Sequence, residues 1–140
     1  MIVVMDTNVI ISGLLSPTGT PAKIIAQWEA GEFDVAISMP LLKELEGVLD
    51  YERISKYFQE PQEKIGLLLK RLKMVSIKVT PEFRLNVIKD DPSDNRVLEC
   101  AVAANASFII SGDDHLLSLG KYQDIIILPP VGFHALLKLR

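Results

Sequence analysis

The stretch VVMDTNVI, residues 3–10, decides the fold, because an apolar run stops at a carboxylate and then resumes. Residues 2–5 are continuously apolar, which predicts a strand buried on both faces of a parallel sheet. Asp6 ends this strand, and an unpaired carboxylate at the end of a core strand is costly. We therefore expect Asp6 to have partners elsewhere in the chain.

Strands and helices alternate along the rest of the chain. Further strands are predicted at residues 33–37, 74–79, 108–111 and 125–128, and helices at 9–15, 22–29, 40–49, 53–58, 61–73, 95–104, 115–119 and 132–139. Ser38 is expected to cap the helix that begins near Pro40. The alternation predicts an α/β fold, a three-layer α/β/α sandwich with a central parallel sheet, and 140 residues fit a single domain, residues 1–140.

Charge and hydropathy narrow the classes of function. The net charge of −3 argues against tight, passive binding of nucleic acid, although a bound divalent metal can reverse the field locally. The longest apolar runs are far shorter than the roughly 20 residues of a membrane span. The apolar run at residues 1–5 ends at Asp6, so it is too short for the apolar segment of a secretory signal. We therefore expect a cytoplasmic protein with no membrane partner.

Cysteine content and apolar content add two expectations. Cys100 is the only cysteine, which excludes an internal disulfide and a cysteine-rich zinc site, and we expect it to be a small core residue. Hydrophobic residues make up 49% of the chain and the mean hydropathy is +0.26. This leaves apolar surface for a partner, so an oligomer is expected.

Four acids are predicted to meet at one edge of the sheet. In right-handed βαβ units, helices begin at the edge where strands end, and open α/β folds bind ligands there. Asp6 and Asp113 follow predicted strands, whereas Asp94 and Glu44 lie near the starts of predicted helices. Clustered carboxylates repel unless a cation lies among them, and oxygen ligands favour Mg²⁺ or Mn²⁺. Such a site predicts hydrolysis of phosphodiester bonds.

Each acid also has an ordinary structural explanation. Asp6 could begin a turn, and Asp94 could be only a helix N-cap. Asp113 or Asp114 could cap the short helix that follows them. The joint placement of the acids, and no single one of them, favours a site.

Two further choices stay open at this point. Helical periodicity does not separate Glu44 from Glu46, although Glu44 is nearer the start of its helix. Asp90 and Asp91 lie close to the site along the sequence, in a loop before Pro92. Both are second choices as ligands.

Three segments together resemble the PIN domain. They are MDTNVIISGLL at residues 5–15, SMPLLKELEGVL at 38–49 and DPSDNRVLECAVAANASFIISGDDHLL at 91–117. They lie in order along nearly the whole chain and are most similar to the VapC-type toxins of prokaryotic toxin–antitoxin pairs. The resemblance implies an α/β/α sandwich and an Mg²⁺- or Mn²⁺-dependent endoribonuclease that cleaves single-stranded RNA.

The resemblance also implies site residues and partners. The catalytic and metal-binding acids of the family fall on Asp6, Glu44, Asp94 and Asp113, its polar supports fall on Asn8 and Ser111, and Asp114 is an additional or outer ligand. A small antitoxin protein is implied as a partner. Together with the spare apolar surface, the likeness predicts a homodimer or a higher homo-oligomer.

Basic residues that could hold RNA are few. Lys89 and Arg96 lie on either side of the acids Asp90, Asp91 and Asp94, and are better placed for a phosphate than the other basic residues. Lys70, Arg71, Lys73 and Lys78 are expected to form a solvated face.

Three other classes of protein remain as alternatives. A metal-dependent phosphatase of the haloacid-dehalogenase type would need an acid two positions after Asp6, where this sequence has Asn8. A receiver domain would need paired acids after the first strand and a lysine after the last. A non-catalytic binding module with the PIN fold is the third, and the complete set of acids argues against it.

Overall fold

The computed structural model describes residues 1–49 and 62–140. The strands are β1 (Ile2–Met5), β2 (Asp34–Ser38), β3 (Ile77–Val79), β4 (Phe108–Ile110), β5 (Lys121–Tyr122) and β6 (Ile125–Leu128). The helices are α1 (Thr7–Leu15), α2 (Thr20–Glu29), α3 (Met39–Leu49), α4 (Gln62–Val75), α5 (Asp94–Ala103), α6 (Asp114–Leu119) and α7 (Pro130–Lys138). The helix predicted at residues 53–58 lies outside the described residues.

The strands form one sheet in the order β3-β2-β1-β4-β6-β5. Neighbours run parallel except β5, which pairs antiparallel with β6 at one edge. The chain crosses the sheet in one direction from β1 through β2 to β3, and in the opposite direction from β3 through β4 to β6. Because connections between parallel strands are right-handed, the helices that connect strands of the first set cover one face of the sheet and those that connect strands of the second set cover the other. The predicted α/β/α class is confirmed, with a mostly parallel sheet.

One strand prediction needs correction, and one strand was missed. The strand expected over residues 74–79 is only β3, because Met74 and Val75 continue α4. Each further helical residue adds a backbone hydrogen bond, and Ser76 ends the run by donating its hydroxyl to the Leu72 carbonyl. Strand β5 was not predicted, since a two-residue strand has no readable alternation.

The core lies on both sides of β1 and β4, whose apolar side chains are buried except at the first residue of each strand, which is partly buried. Phe133 of α7 packs edge-on against Phe33 and Phe108, with ring centroids 5.2 and 5.7 Å apart. Cys100 is fully buried on α5, which confirms its prediction as a core residue. Burial raises the pKa of its thiol to about 12, against a smaller lowering by the neighbouring Ser38 hydroxyl. The thiol is therefore neutral.

The helices are short. Among the described helices, none is both long and apolar enough to cross a membrane alone. Helices α1 and α2 meet those criteria only when taken as a pair, and that pair is bent by 103°.

Candidate active site

The carboxyl ends of three neighbouring strands bring polar residues into one row. Val3 pairs with Val35 of β2, and Met5 pairs with Ile110 of β4. Continuing this register by a few residues places Asp6 between Ser38 and Ser111. Because adjacent strands lie about 4.8 Å apart, these three residues occupy neighbouring positions at one edge of the sheet.

Ser111 connects two of the predicted acids. Its hydroxyl donates to Asp6 Oδ2 at 2.8 Å and accepts from the Asp113 backbone N–H at 2.9 Å. Ser111 is fully buried and Asp6 is nearly so. Burial raises the pKa of Asp6, the nearby Asp113 charge adds to this, and the bond from Ser111 opposes it. The hydroxyl thus fixes the position of both acids.

Asp113 has a structural role as well. Its Oδ1 accepts from the backbone N–H groups of His115 and Leu116, at 2.8 and 3.3 Å, so it is the N-cap of α6. This agrees with the ordinary explanation offered for this acid. The cap fixes the orientation of the carboxylate beside the other acids.

Three carboxylates meet at the start of α5. One oxygen each from Asp91, Asp94 and Asp113 lie within 4.8 Å of one another. We call these three residues, with Asp6, the acidic cluster. Asp94 is only 6% exposed, and its buried Oδ2 has no hydrogen-bond partner among residues 1–49 and 62–140. Burial, followed by the proximity of Asp113, Asp91 and Asp6, raises the pKa of Asp94 to about 8.

This geometry changes two of the sequence interpretations. Asp94 is not the N-cap of α5, because it lies inside the first turn and Ser93 occupies the cap position. Asp91 was only a second choice from sequence, yet it belongs to the acidic cluster. Its Oδ1 also accepts a bond from the Ser93 hydroxyl at 2.6 Å.

Asn95 holds in place the segment at residues 87–92, which we call the acidic loop. Sequence reasoning missed this role of Asn95. Its Oδ1 accepts from the backbone N–H groups of Val87 and Ile88 at 3.0 and 2.9 Å. Its Nδ2 donates to the carbonyls of Ile88 and Pro92 at 2.7 and 3.2 Å. The side chain is buried, so these bonds are shielded from water. An asparagine directly after Asp94 on the core-facing side of a predicted helix was the available signal.

Glu44 lies at the exposed side of the acidic cluster. Thr7 donates its hydroxyl to Glu44 Oε1 at 3.1 Å, a contact that the sequence did not predict. Partial burial raises the pKa of Glu44, with smaller contributions from Asp6 and Asp91. Glu46 instead pairs with Lys73 at 3.1 Å, so the structure distinguishes the two glutamates.

The predicted supporting residues occupy different places. Asn8 assists Asp6 through its backbone N–H, which lowers the pKa of that acid. The exposed side chain of Asn8 lines a cleft of 420 Å³ together with Asp113 and Asp114. Asp114 is exposed at the start of α6 and is not one of the three acids that meet within 4.8 Å.

The two predicted RNA-binding residues differ from each other. Lys89 is exposed on the acidic loop. The guanidinium of Arg96 donates through Nε and Nη2 to both carboxylate oxygens of Glu99, at 2.8 and 2.7 Å, and through Nη2 to the Leu85 carbonyl. Glu99 in turn accepts from the Leu85 N–H. Arg96 therefore has a structural role in tethering the loop to α5.

The donor set fits a hard divalent cation. The acidic cluster offers carboxylate oxygens alone, which is the ligand chemistry of Mg²⁺ and Mn²⁺. The unpartnered Oδ2 of Asp94 is a buried acceptor that needs a positive partner. Glu44 is near enough to Asp6 and Asp91 for their charges to raise its pKa.

Comparisons with known proteins agree with this architecture. The PIN domain family matches residues 2–115 of the chain. The chain is similar to the uncharacterized protein MJ1680 of Methanocaldococcus jannaschii, with 33% identity over 126 residues that cover 88% of this chain and 79% of that protein. It also resembles in fold the crystal structure of VapBC2 from Rickettsia felis bound to a DNA fragment from their promoter. That match has a TM-score of 0.60 and 18% identity, and covers 91% of this chain and 97% of the other. The chain therefore belongs to the PIN domain family, a family of nucleases.

Proposed function

We propose that this protein is an endoribonuclease that requires Mg²⁺ or Mn²⁺ and cleaves single-stranded RNA. The observation that carries the proposal is the meeting of Asp91, Asp94 and Asp113 within 4.8 Å, with a buried Asp94 oxygen that has no partner among the described residues. Carboxylates brought so close are stable together only with a proton or a cation between them. Membership of a nuclease family makes a cation the relevant partner.

The proposed ligands are Asp6, Asp94 and Asp113, with Glu44 at the exposed side, and we add Asp91 because its carboxylate lies near those of Asp94 and Asp113. When bound, a divalent cation would lower the pKa of a water molecule and neutralise charge on a phosphate oxygen. The chain itself supplies position. The Ser111 hydroxyl orients two of the acids and the Thr7 hydroxyl orients Glu44.

Glu44 has the further capacity to hold a proton at the site. Its carboxylate is the most exposed of the proposed ligands, and its raised pKa lets it exchange a proton with a solvent molecule more readily than an ordinary glutamate. The exposed Lys89 is a candidate for contact with an RNA phosphate. Arg96 is a weaker candidate because Glu99 neutralises it.

We also propose that the protein is the toxin of a toxin–antitoxin pair in the cytoplasm, with a small antitoxin as partner. The sequence likeness to VapC-type toxins and the fold shared with a VapBC complex support this assignment. We further propose a homodimer or higher homo-oligomer. The described surface exposes large apolar side chains that a second copy could cover, such as Leu67, Met74 and Val131.

Cleavage of a labelled single-stranded RNA by the purified protein tests the nuclease proposal. The wild type should cleave in millimolar Mn²⁺ or Mg²⁺ and stop on addition of a chelator, and Asp94→Asn should abolish cleavage while remaining folded. The matched control is Asp124→Asn, the same chemical change at an exposed position in the β5–β6 turn. Equal cleavage by Asp94→Asn, or cleavage in the presence of the chelator, would contradict the mechanism.

The same assay separates the alternatives. Hydrolysis of a small phosphate monoester without cleavage of RNA would indicate a phosphatase. Binding of RNA without hydrolysis of either substrate would indicate a binding module. Sedimentation equilibrium tests the oligomer, and a monomer at high concentration would overturn that part of the proposal.

A further inference from the structure

A second pocket lies beside the acidic cluster, at the carboxyl end of β2. Its volume is 160 Å³, and its walls come from Ser38, the start of α3, the segment after β3, and Arg96 and Glu99 of α5. We call it the β2-end pocket. Its rim carries the exposed side chains of Phe83 and Arg84.

Ser38 gives this pocket a buried hydroxyl whose only neighbour of note among the described residues is a weak one, the Cys100 thiol. The residue is 2% exposed, and its Oγ has no partner at regular hydrogen-bond geometry within the part of the chain that the structure describes. The prediction that it caps α3 is therefore wrong. Its neighbour Cys100 is a neutral thiol, which is a weak hydrogen-bonding group. Buried polar groups are nearly always paired, so this hydroxyl is available to a ligand.

The rim offers a ring face and a positive charge. Phe83 is 38% exposed, whereas Phe33 and Phe133 are buried and Phe108 is partly buried. Of the phenylalanines that the structure describes, it alone is exposed. Single-stranded RNA is recognised by stacking of splayed bases on aromatic rings and by hydrogen bonds to base edges. Arg84 adds a cation suited to the adjacent phosphate.

The β2-end pocket is close to the acidic cluster. Continuing the strand register places Ser38 directly beside Asp6, one strand spacing away, or about 4.8 Å. Pro40, which lines the pocket, is four residues before Glu44 on α3, so the two lie on the same helix face about 6 Å apart. A nucleotide next to the cleaved bond can therefore reach the pocket.

We propose that the β2-end pocket receives one unstacked nucleobase of the RNA, next to the cleaved bond, with Phe83 stacking on its face and the Ser38 hydroxyl bonding its edge. This inference rests on the proposed function and assigns the residues that select sequence. The volume of the pocket, 160 Å³, equals that of about five water molecules, which is room for one base and not for two. Glu99 contributes shape, since Arg96 and the Leu85 N–H already occupy its oxygens.

Four single variants test the pocket. Phe83→Ala should raise the KM for a short single-stranded RNA about tenfold, the lower part of the range for losing one base stack, and change kcat little. Phe83→Tyr keeps the ring and should restore the wild-type KM. Ser38→Ala should weaken the base preference at one position beside the cut, measured by sequencing the products of a randomised RNA. Val87→Ala, equally exposed in the same segment but outside the pocket, is the matched control.

Thermal denaturation distinguishes a ligand-directed hydroxyl from a structural one. Removing a buried hydroxyl that contacts, in the described chain, only a weakly bonding thiol should leave the Tm of Ser38→Ala unchanged or raise it by up to about 4 °C. A fall in Tm would show that the hydroxyl is structural and overturn its assigned role. An unchanged KM in Phe83→Ala together with an unchanged base preference in Ser38→Ala would overturn the pocket while leaving the nuclease intact.

Absence of cleavage by the wild type would refute the proposed function but would still leave the pocket testable. Fluorescence anisotropy of a labelled RNA oligonucleotide would then measure affinity for the same variants. A tenfold loss in Phe83→Ala, recovered in Phe83→Tyr, supports the pocket. Equal affinity of both variants, or no binding by the wild type, overturns it.

Discussion

Replacing Asp94 with asparagine should stabilise the metal-free protein and remove its stabilisation by metal. Asp94 is nearly buried, and its carboxylate meets those of Asp91 and Asp113 within 4.8 Å. Asparagine has almost the same volume but carries no charge, and its amide can donate a hydrogen bond to a neighbouring carboxylate. The variant therefore removes both the repulsion and a ligand.

The magnitude follows from the pKa of Asp94, about 8 in the folded protein against an ordinary 3.8. The folded state holds this proton more tightly than the unfolded state does. The stability that this bound proton gives to the folded state is therefore complete below pH 3.8 and is lost as the pH rises through 8. At about 1.4 kcal/mol per pKa unit, the upper limit of the loss is about 6 kcal/mol.

Solvent reduces this limit. Asp91 and Asp113 are half-buried, so water screens part of the repulsion that they exert on Asp94. We expect a loss of about 1–3 kcal/mol at pH 8, which asparagine would recover. For a chain of this length, that corresponds to a Tm about 3–10 °C higher in the variant.

Thermal denaturation followed by circular dichroism checks this expectation. In a chelator, the Tm advantage of Asp94→Asn over the wild type should be small near pH 4 and largest at pH 8. Millimolar Mg²⁺ at pH 8 should raise the Tm of the wild type and leave that of the variant unchanged, because only the folded wild type gathers the ligands. Asp124→Asn should follow the wild type throughout. A variant that is less stable at pH 8, or that gains as much from Mg²⁺, would refute the reasoning.

Three more predictions concern the groups around the acidic cluster. Ser111→Ala removes one hydrogen bond from Asp6 and leaves the Asp113 N–H without its Ser111 partner, so it should cost about 1–3 kcal/mol in chemical denaturation and slow cleavage; an unchanged rate would contradict this role. Asn95→Ala removes four bonds to the acidic loop and should cost about 2–4 kcal/mol and weaken metal binding, whereas equal Mn²⁺ affinity would show that the loop is placed by other contacts. Metal affinity measured by calorimetry should increase from pH 6 to pH 8, because the proton on Asp94 must leave before metal binds; a constant affinity would count against Asp94 as a ligand.

Local pattern predicted most of the fold. The continuous apolar runs before Asp6 and at residues 125–128 form strands β1 and β6, and such runs are easy to recognise in a sequence. Only β1 is buried along most of its length, whereas β6 leaves Ile126 exposed. Pattern failed at Met74 and Val75, whose β-branched and apolar character suits a strand, because helix α4 continued through them. A strand of two residues, such as β5, depends on its partner β6 and leaves no local trace.

The sequence by itself determined that acids follow β1 and β4, that Asp94 begins α5 and that Glu44 lies on α3, since strand and helix ends are encoded locally. Only the tertiary structure decided that Asp91 joins Asp94 and Asp113, that Glu44 rather than Glu46 faces Thr7, and that Arg96 is used within the fold. It alone also left the Ser38 hydroxyl with no regular hydrogen bond in the described chain, beside the weakly bonding Cys100 thiol. The physical reason is that burial and hydrogen bonding depend on which distant segments share a space, and this information lies in the register of the sheet and the packing of its loops.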